Sequence, residues 1–181
     1  MKSVCLSIVT LLLLAQSASA APATRPADFL VGPVHYQTLR PTNYLYTSTE
    51  TTLNKIQDAI EEAMPNLLKG FKQVQITGPM IMVYHNATPD PEKPFKLDVG
   101  FPIMPPDQEP AGLKVRELPQ LKCATIIYTG PIDQIGKAYE KIMPAVFQAG
   151  HKTTGEIREV YMYWEDPNSP NNVVQIQVGI K

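Results

Sequence analysis

The chain has 181 residues, with 16 Lys and Arg against 17 Asp and Glu, a formal charge of -1 and 44% hydrophobic residues. That length fits one domain with a sizeable core, and a balanced charge without a basic run gives no positive field for holding nucleic acid. Eighteen prolines imply many loops and strand edges, yet they gather into no low-complexity tail.

The N-terminus has the layout of a secretory leader. Lys2 is a short basic region, the stretch from Val4 to Ala15 is mostly apolar, and Ala18-Ser19-Ala20 offers a small-residue cleavage site. The apolar run is too short to span a membrane. Residues 1–20 are therefore expected to be removed, leaving an exported chain, periplasmic or secreted, without stable membrane insertion. Residues 21–31 read as a flexible lead-in. Cys5 leaves with the leader, so Cys123 remains the only thiol and no intramolecular disulfide can form.

The rest of the chain carries a repeat at an offset of 79: Ile56 falls on Ile135, Ala59 on Ala138, Met64-Pro65 on Met143-Pro144, Tyr84 on Tyr163 and Val99-Gly100 on Val178-Gly179. Each half opens with an extended, β-branched and aromatic stretch, residues 34–49 or 114–128. A helix follows, with apolar positions Leu53, Ile56, Ile60, Met64 and Leu67 in one half and Ile132, Ile135, Tyr139, Ile142, Met143 and Val146 in the other. Both sets keep a spacing of three to four residues, one buried stripe per helix. Pro65 and Pro144 are expected to kink or end the helices at the same turn. Two strands complete each half, residues 80–85 and 95–101, repeated as 159–164 and 174–180. The last alternates cleanly, with Phe95, Leu97, Val99 and Phe101 inward and Lys96 and Asp98 outward, and Gln175 and Gln177 outward in the repeat. The expected fold is α+β, two β-α-β-β modules (32–103 and 112–181) built on antiparallel sheet with two long helices.

The run IREVYMYWEDP at 157–167 holds the most informative residues. As a strand, it places Ile157, Glu159, Tyr161 and Tyr163 on one face, and Arg158, Val160, Met162 and Trp164 on the other. The second set suits a core face with Arg158 near its end. A carboxylate beside two phenols suits either a solvated surface or a ligand cleft. His35, His85 and His151 form no metal-binding unit, and Cys123 reads as a buried, inert thiol. No nucleophile elbow, P-loop or dinucleotide fingerprint is present. Asn86-Ala87-Thr88 is a glycosylation sequon that matters only in a host that glycosylates exported proteins.

The stretch YTGPIDQIGKAYEKIM, the spacing to EVYMYWEDP and the closing VVQIQVGI resemble the GyrI-like family over residues 32–181. These are effector-binding domains found behind AraC- and MerR-type DNA-binding heads and also as stand-alone proteins. The resemblance implies a pseudo-two-fold pair of modules with a small-molecule cleft between them. It further implies an acidic residue framed by aromatics, here Glu159 with Tyr161 and Tyr163. At the repeat offset, Met80, Met82 and Tyr84 would form the opposite wall. Thioethers adapt to varied shapes, and aromatic faces attract cations at about 0.5–2 kcal/mol each. The expected partner is an aromatic or cationic small molecule, with no cofactor and no metal. Only a leader and lead-in precede the domain, so no DNA-binding head is expected, and export would separate the chain from DNA and gyrase. Two further readings follow from the resemblance. One is a hydrolase of strained electrophiles using Glu159 and Tyr161. The other is tetrapyrrole binding, as in the related SOUL architecture, with His85 near the groove.

Overall fold

The computed structural model describes residues 28–107, 110 and 112–181; the expected leader and most of the expected lead-in lie outside the described residues. In chain order the elements are β1 (Leu30–Val31), β2 (His35–Leu39), β3 (Thr42–Thr51), α1 (Ile56–Gly70), β4 (Ile81–His85), β5 (Phe95–Ile103), β6 (Lys114–Leu118), β7 (Leu121–Thr129), α2 (Gly136–Gln148), β8 (Thr153–Tyr163) and β9 (Val173–Ile180). Short 3-10 turns at Leu53–Lys55 and Ile132–Gln134 lead into the two helices. The fold is α+β: one curled antiparallel sheet with two helices.

Strand order is β1-β7-β9-β8-β4-β5-β3-β6, with β2 also pairing with β7. The sequences β3-α1-β4-β5 and β7-α2-β8-β9 thus occupy mirrored places, and the sheet is joined at its centre by β4 and β8. There Ile81 faces Val160, a pair separated by the repeat offset of 79 itself. The leading strands cross over: β2 pairs with β7 and β6 with β3. Their register is the same on both sides of a break, since Leu39 faces Leu121 and Thr42 faces Leu118. Pro41 and Pro119 sit in that break, where a residue that cannot donate to a ladder is tolerated. The two crossing arms bring the outer strands of the sheet together and curl it.

Both helices pack small or branched side chains against one face. Ala59, Ala63, Leu67 and Gly70 are buried on α1, and Ala138, Ile142 and Val146 on α2. Pro65 and Pro144 lie inside the helices and do not end them. Each faces solvent, as do Glu61 and Glu140 four residues earlier, so water can satisfy the carbonyls that lose their intrahelical donor.

The opposite sheet face departs from the alternation read in the sequence. Asp98 and Gln177, expected outward, are buried, as is Arg158. Tyr44, Ile81, Val83 and Leu118 form a second apolar cluster on this face. The curl explains it: the crossing arms cover a face that an open sheet would leave wet. Asp98 accepts hydrogen bonds from Ser48 (2.5 Å), His85 Nε2 (2.8 Å) and Arg116 on the crossed arm (2.7 Å). Arg116 in turn lies 4.9 Å from the Tyr46 ring centre. Arg158 is held by Glu156 at 2.6 Å and by the Pro119 carbonyl at 3.2 Å. Burial alone would raise the Asp98 pKa, but the His85 and Ser48 hydrogen bonds and the Arg116 charge bring it below the usual value.

Adjacent residues of α1 give a direct measure of this packing. Leu67 is fully buried and Leu68 is 52% exposed. Urea unfolding is expected to show a loss of about 2–5 kcal/mol for Leu67→Ala and a change within about 0.5 kcal/mol for Leu68→Ala.

Candidate functional site

β8 runs through the middle of the sheet, so the side chains on its helix-facing side are enclosed by neighbours. Glu159 faces Met82 on β4 and Ile176 on β9, both fully buried, and is itself only 4% exposed. Its oxygens are taken up by phenols. Tyr139 on α2 donates to Oε1 at 2.6 Å, while Tyr84 on β4 and Tyr161 on β8 donate to Oε2 at 2.8 and 2.9 Å. Each phenol arrives by a different route. Tyr161 lies two residues along the same strand, Tyr84 two residues beyond Met82 on the neighbouring strand, and Tyr139 reaches down from the helix.

The electrostatics of this cluster run opposite to those of Asp98. Burial pushes the Glu159 carboxyl above the ordinary glutamate range, and the hydrogen bonds from Tyr139, Tyr84 and Tyr161 pull it only part of the way back. All its resolved partners are neutral phenols. Burial first, and then the Glu159 charge, raises Tyr84, Tyr139 and Tyr161 well above the ordinary phenol value, so each remains a proton donor. The arrangement is an acidic centre with aromatic walls and, among the described residues, no cation paired with it.

Met82 and Tyr84 share the Glu159 core, and Met80 packs against it half-buried, its carbonyl accepting the Tyr161 N–H at 3.0 Å. They do not stand across a groove from β8, as the sequence suggested. β4 and β8 are hydrogen-bonded neighbours about the Ile81–Val160 pair, so these residues form one floor, and α2 supplies the roof through Tyr139. Tyr163 does not join them. A register shift between Tyr161 and Tyr163 breaks the alternation of β8; Tyr163 is 51% exposed and donates to Glu165 at 2.8 Å. The same shift brings the Trp164 ring to 5.6 Å from that of Tyr161 rather than into a core on the other face, and leaves Met162 exposed.

Tyr139 was the missed member. Its signal was present: a phenol in a buried helical stripe needs an acceptor, and a buried carboxylate supplies one. His85, considered for tetrapyrrole binding, is bonded to Asp98 on the opposite side of the sheet from Glu159. Cys123 is fully buried, its thiol pushed up to about 11. A surface cleft of about 360 Å³ lies elsewhere, lined by Asp28, Phe29, Pro131, Asp133, Gln134 and Asn168. Glu159 does not line that cleft.

The sequence model of the GyrI-like small molecule binding domain matches residues 33–181. No curated protein matches the sequence. Among solved structures, the chain is similar to EcmrR in its complex with DNA, at 16% identity and a TM-score of 0.71, covering 82% of this chain and 57% of that one. It thus spans little more than half the length of that protein. It is also similar to the isolated EcmrR C-terminal domain, at 18% identity and a TM-score of 0.66, covering 83% of this chain and 98% of that one. A third likeness is to SAV2435 bound to tetraphenylphosphonium, at 10% identity and a TM-score of 0.61, covering 82% and 94%. At these identities the likeness is one of fold.

The raised Glu159 pKa has a consequence for stability. Below the ordinary glutamate value of about 4.3, the carboxyl is protonated in both folded and unfolded chains and contributes no difference. As pH rises above it, the unfolded chain ionises more readily than the folded one, so the wild type loses stability until the folded-state pKa is passed. Thermal melts from about pH 4 to about pH 8 are expected to show Glu159→Gln gaining on the wild type as pH rises.

Proposed function

The chain belongs to the GyrI-like small-molecule-binding domain family, and from that premise we propose that it binds lipophilic aromatic cations at Glu159 within the Tyr84–Tyr139–Tyr161 cluster. One observation carries the reading: a buried carboxylate that is hydrogen-bonded by three phenols and has no resolved positive partner. An ionised carboxylate in such surroundings is costly until a countercharge arrives. A cation would supply it, and the phenol rings would add cation–π contacts of about 0.5–2 kcal/mol each. Met80 and Met82 give the floor thioethers that adjust to ligands of different outline. The tetraphenylphosphonium bound to a protein of this fold is a cation of this kind.

The leader at residues 1–20 supports the same activity outside the cytoplasm, where the protein would sequester or carry such compounds instead of controlling transcription. Its partners on this reading are small aromatic cations.

Calorimetric titration with tetraphenylphosphonium tests the proposal. Binding by the wild type is expected to weaken at least about tenfold in Glu159→Gln, a loss of about 1.4 kcal/mol, while Tyr163→Phe stays within about twofold because its hydroxyl serves Glu165. Affinity should also rise with pH, since the cation favours the ionised carboxylate and the free protein holds its proton above the ordinary glutamate range. Equal affinity in wild type and Glu159→Gln would remove the carboxylate from the site.

A further inference from the structure

We infer that the open edge of β3, residues 47–51, pairs with the same edge of a second copy of this chain across a two-fold axis. The two halves of the scaffold differ here. In the second half β7 is paired on both sides. β9 runs along one side from Cys123 to Thr129, and β2 and β1 cover the other, with the Gly32 N–H donating to the Ile127 carbonyl at 2.9 Å between them. In the first half β5 follows β3 along one side to Thr51, but β6 covers the other only from Thr42 to Tyr46. The cause lies in the sequence. At the repeat offset Val31 of β1 corresponds to Pro110, which has no N–H to offer a ladder. A turn stands there instead, with the Leu113 N–H donating to the Pro110 carbonyl at 3.3 Å and Gly112 at a φ of 77°. Among the described residues no strand meets 47–51 on that side; the Thr49 hydroxyl makes a long bond, 3.4 Å, to the Glu50 carbonyl.

An edge of unpaired N–H and C=O groups is a template for a further strand, and proteins guard such edges with lysine, proline or a bulge. Residues 47–51 read Thr-Ser-Thr-Glu-Thr and run against β5 without a register shift. None of those guards is present, and threonine favours the extended form. A second copy fits this edge in one register. Antiparallel pairing about a two-fold axis keeps like faces together when Thr49 meets its own counterpart, which sets Thr47 against Thr51 and Ser48 against Glu50. All the open positions of both copies are then used. A shift of two residues either way puts Glu50 against Glu50 or drives the second strand into β6. The same register also matches charge. Ser48 and Glu50 lie on the sheet face that carries Asp98, and Lys114, paired with Tyr46, lies there too. Glu50 of the second copy continues the line of β6 two positions beyond Lys114, about 7 Å away along the ladder. Lys114 and Glu50 are both exposed, and neither forms an ion pair among the described residues. Lys96, opposite Glu50 on β5, lies 3.8 Å from Asp98. Two Glu50–Lys114 pairs thus close the seam, one at each end.

The pairing does not depend on what Glu159 binds. So short a seam makes a weak dimer, smaller than a standard interface, and sedimentation velocity over a dilution series reaching millimolar protein measures it. The wild type is expected to pass from monomer toward dimer as concentration rises. Thr49→Lys, which sets two like charges against each other at the axis, is expected to keep the chain monomeric. Glu50→Lys and Lys114→Glu are each expected to weaken dimerisation at least about threefold. The double variant E50K/K114E is expected to return it to within about twofold of the wild type, a recovery that damaged folding would not produce. A wild type that stays monomeric at millimolar concentration overturns the inference and leaves the edge to an extended segment of another protein. A dimer indifferent to Thr49→Lys and to both charge reversals overturns it as well.

Discussion

The constraint on which the molecule turns is a carboxylate, Glu159, carried into the centre of the sheet without a positive partner among the described residues. Hydrogen bonds to a charged group contribute about 1.5–3 kcal/mol each, and this carboxylate has three of them from phenols. They do not offset the loss of water, for its pKa stays raised. Asp98 makes the comparison within the same sheet. It too is buried, but Arg116 and His85 stand against it and its pKa is lowered. Both carboxylates have almost no solvent-accessible surface, but Asp98 has a guanidinium against it. One is a finished structural tie that fastens the crossed arm β6 to β3, β4 and β5; the other has an electrostatic need that a ligand can meet.

The topology explains how such a group is held. A side chain on an edge strand would find water; one on β8 has β4 and β9 at its sides and α2 above. The crossing arms matter as well. By pairing β2 with β7 and β6 with β3 they curl the sheet and enclose its second face, so that β4 and β8 are packed from both sides. Phenols offered by three separate elements then converge on one point without needing any loop to place them.

Much of this was legible in the residues. Apolar spacing gave both helices, the repeat offset matched the element order of the two halves, and Glu159 stood out as an acid in an apolar strand. What was not legible depended on three-dimensional closure or on local irregularity. Alternation assigns Asp98, Gln177 and Arg158 to a face, but it cannot say that crossing arms cover that face. A register shift leaves no fixed mark in composition, so alternation read Tyr163 beside Glu159 and Trp164 into a core, whereas both are exposed. Tyr139 was read only as part of a helical stripe, since a helix position and a strand position meet only once the helix is docked. Pro65 and Pro144 do not end their helices for a simpler reason: a helix tolerates proline where the freed carbonyl faces water.

The near-symmetry of the scaffold also shows why it carries one acidic centre. At the repeat offset, Glu159, Tyr161 and Tyr163 correspond to Met80, Met82 and Tyr84. A symmetric sequence would put a second carboxylate at position 80, beside Tyr161 on the adjoining strand. Two carboxylates on adjoining strands would repel, which favours keeping one protonated. Methionine at 80 removes that conflict and leaves the phenols to a single acceptor. The departure continues at the third position: Tyr84 is buried and turned to Glu159, while its counterpart Tyr163 is carried out of the core by the register shift in β8. An even scaffold with uneven side chains thus concentrates the donors of both halves on one charge.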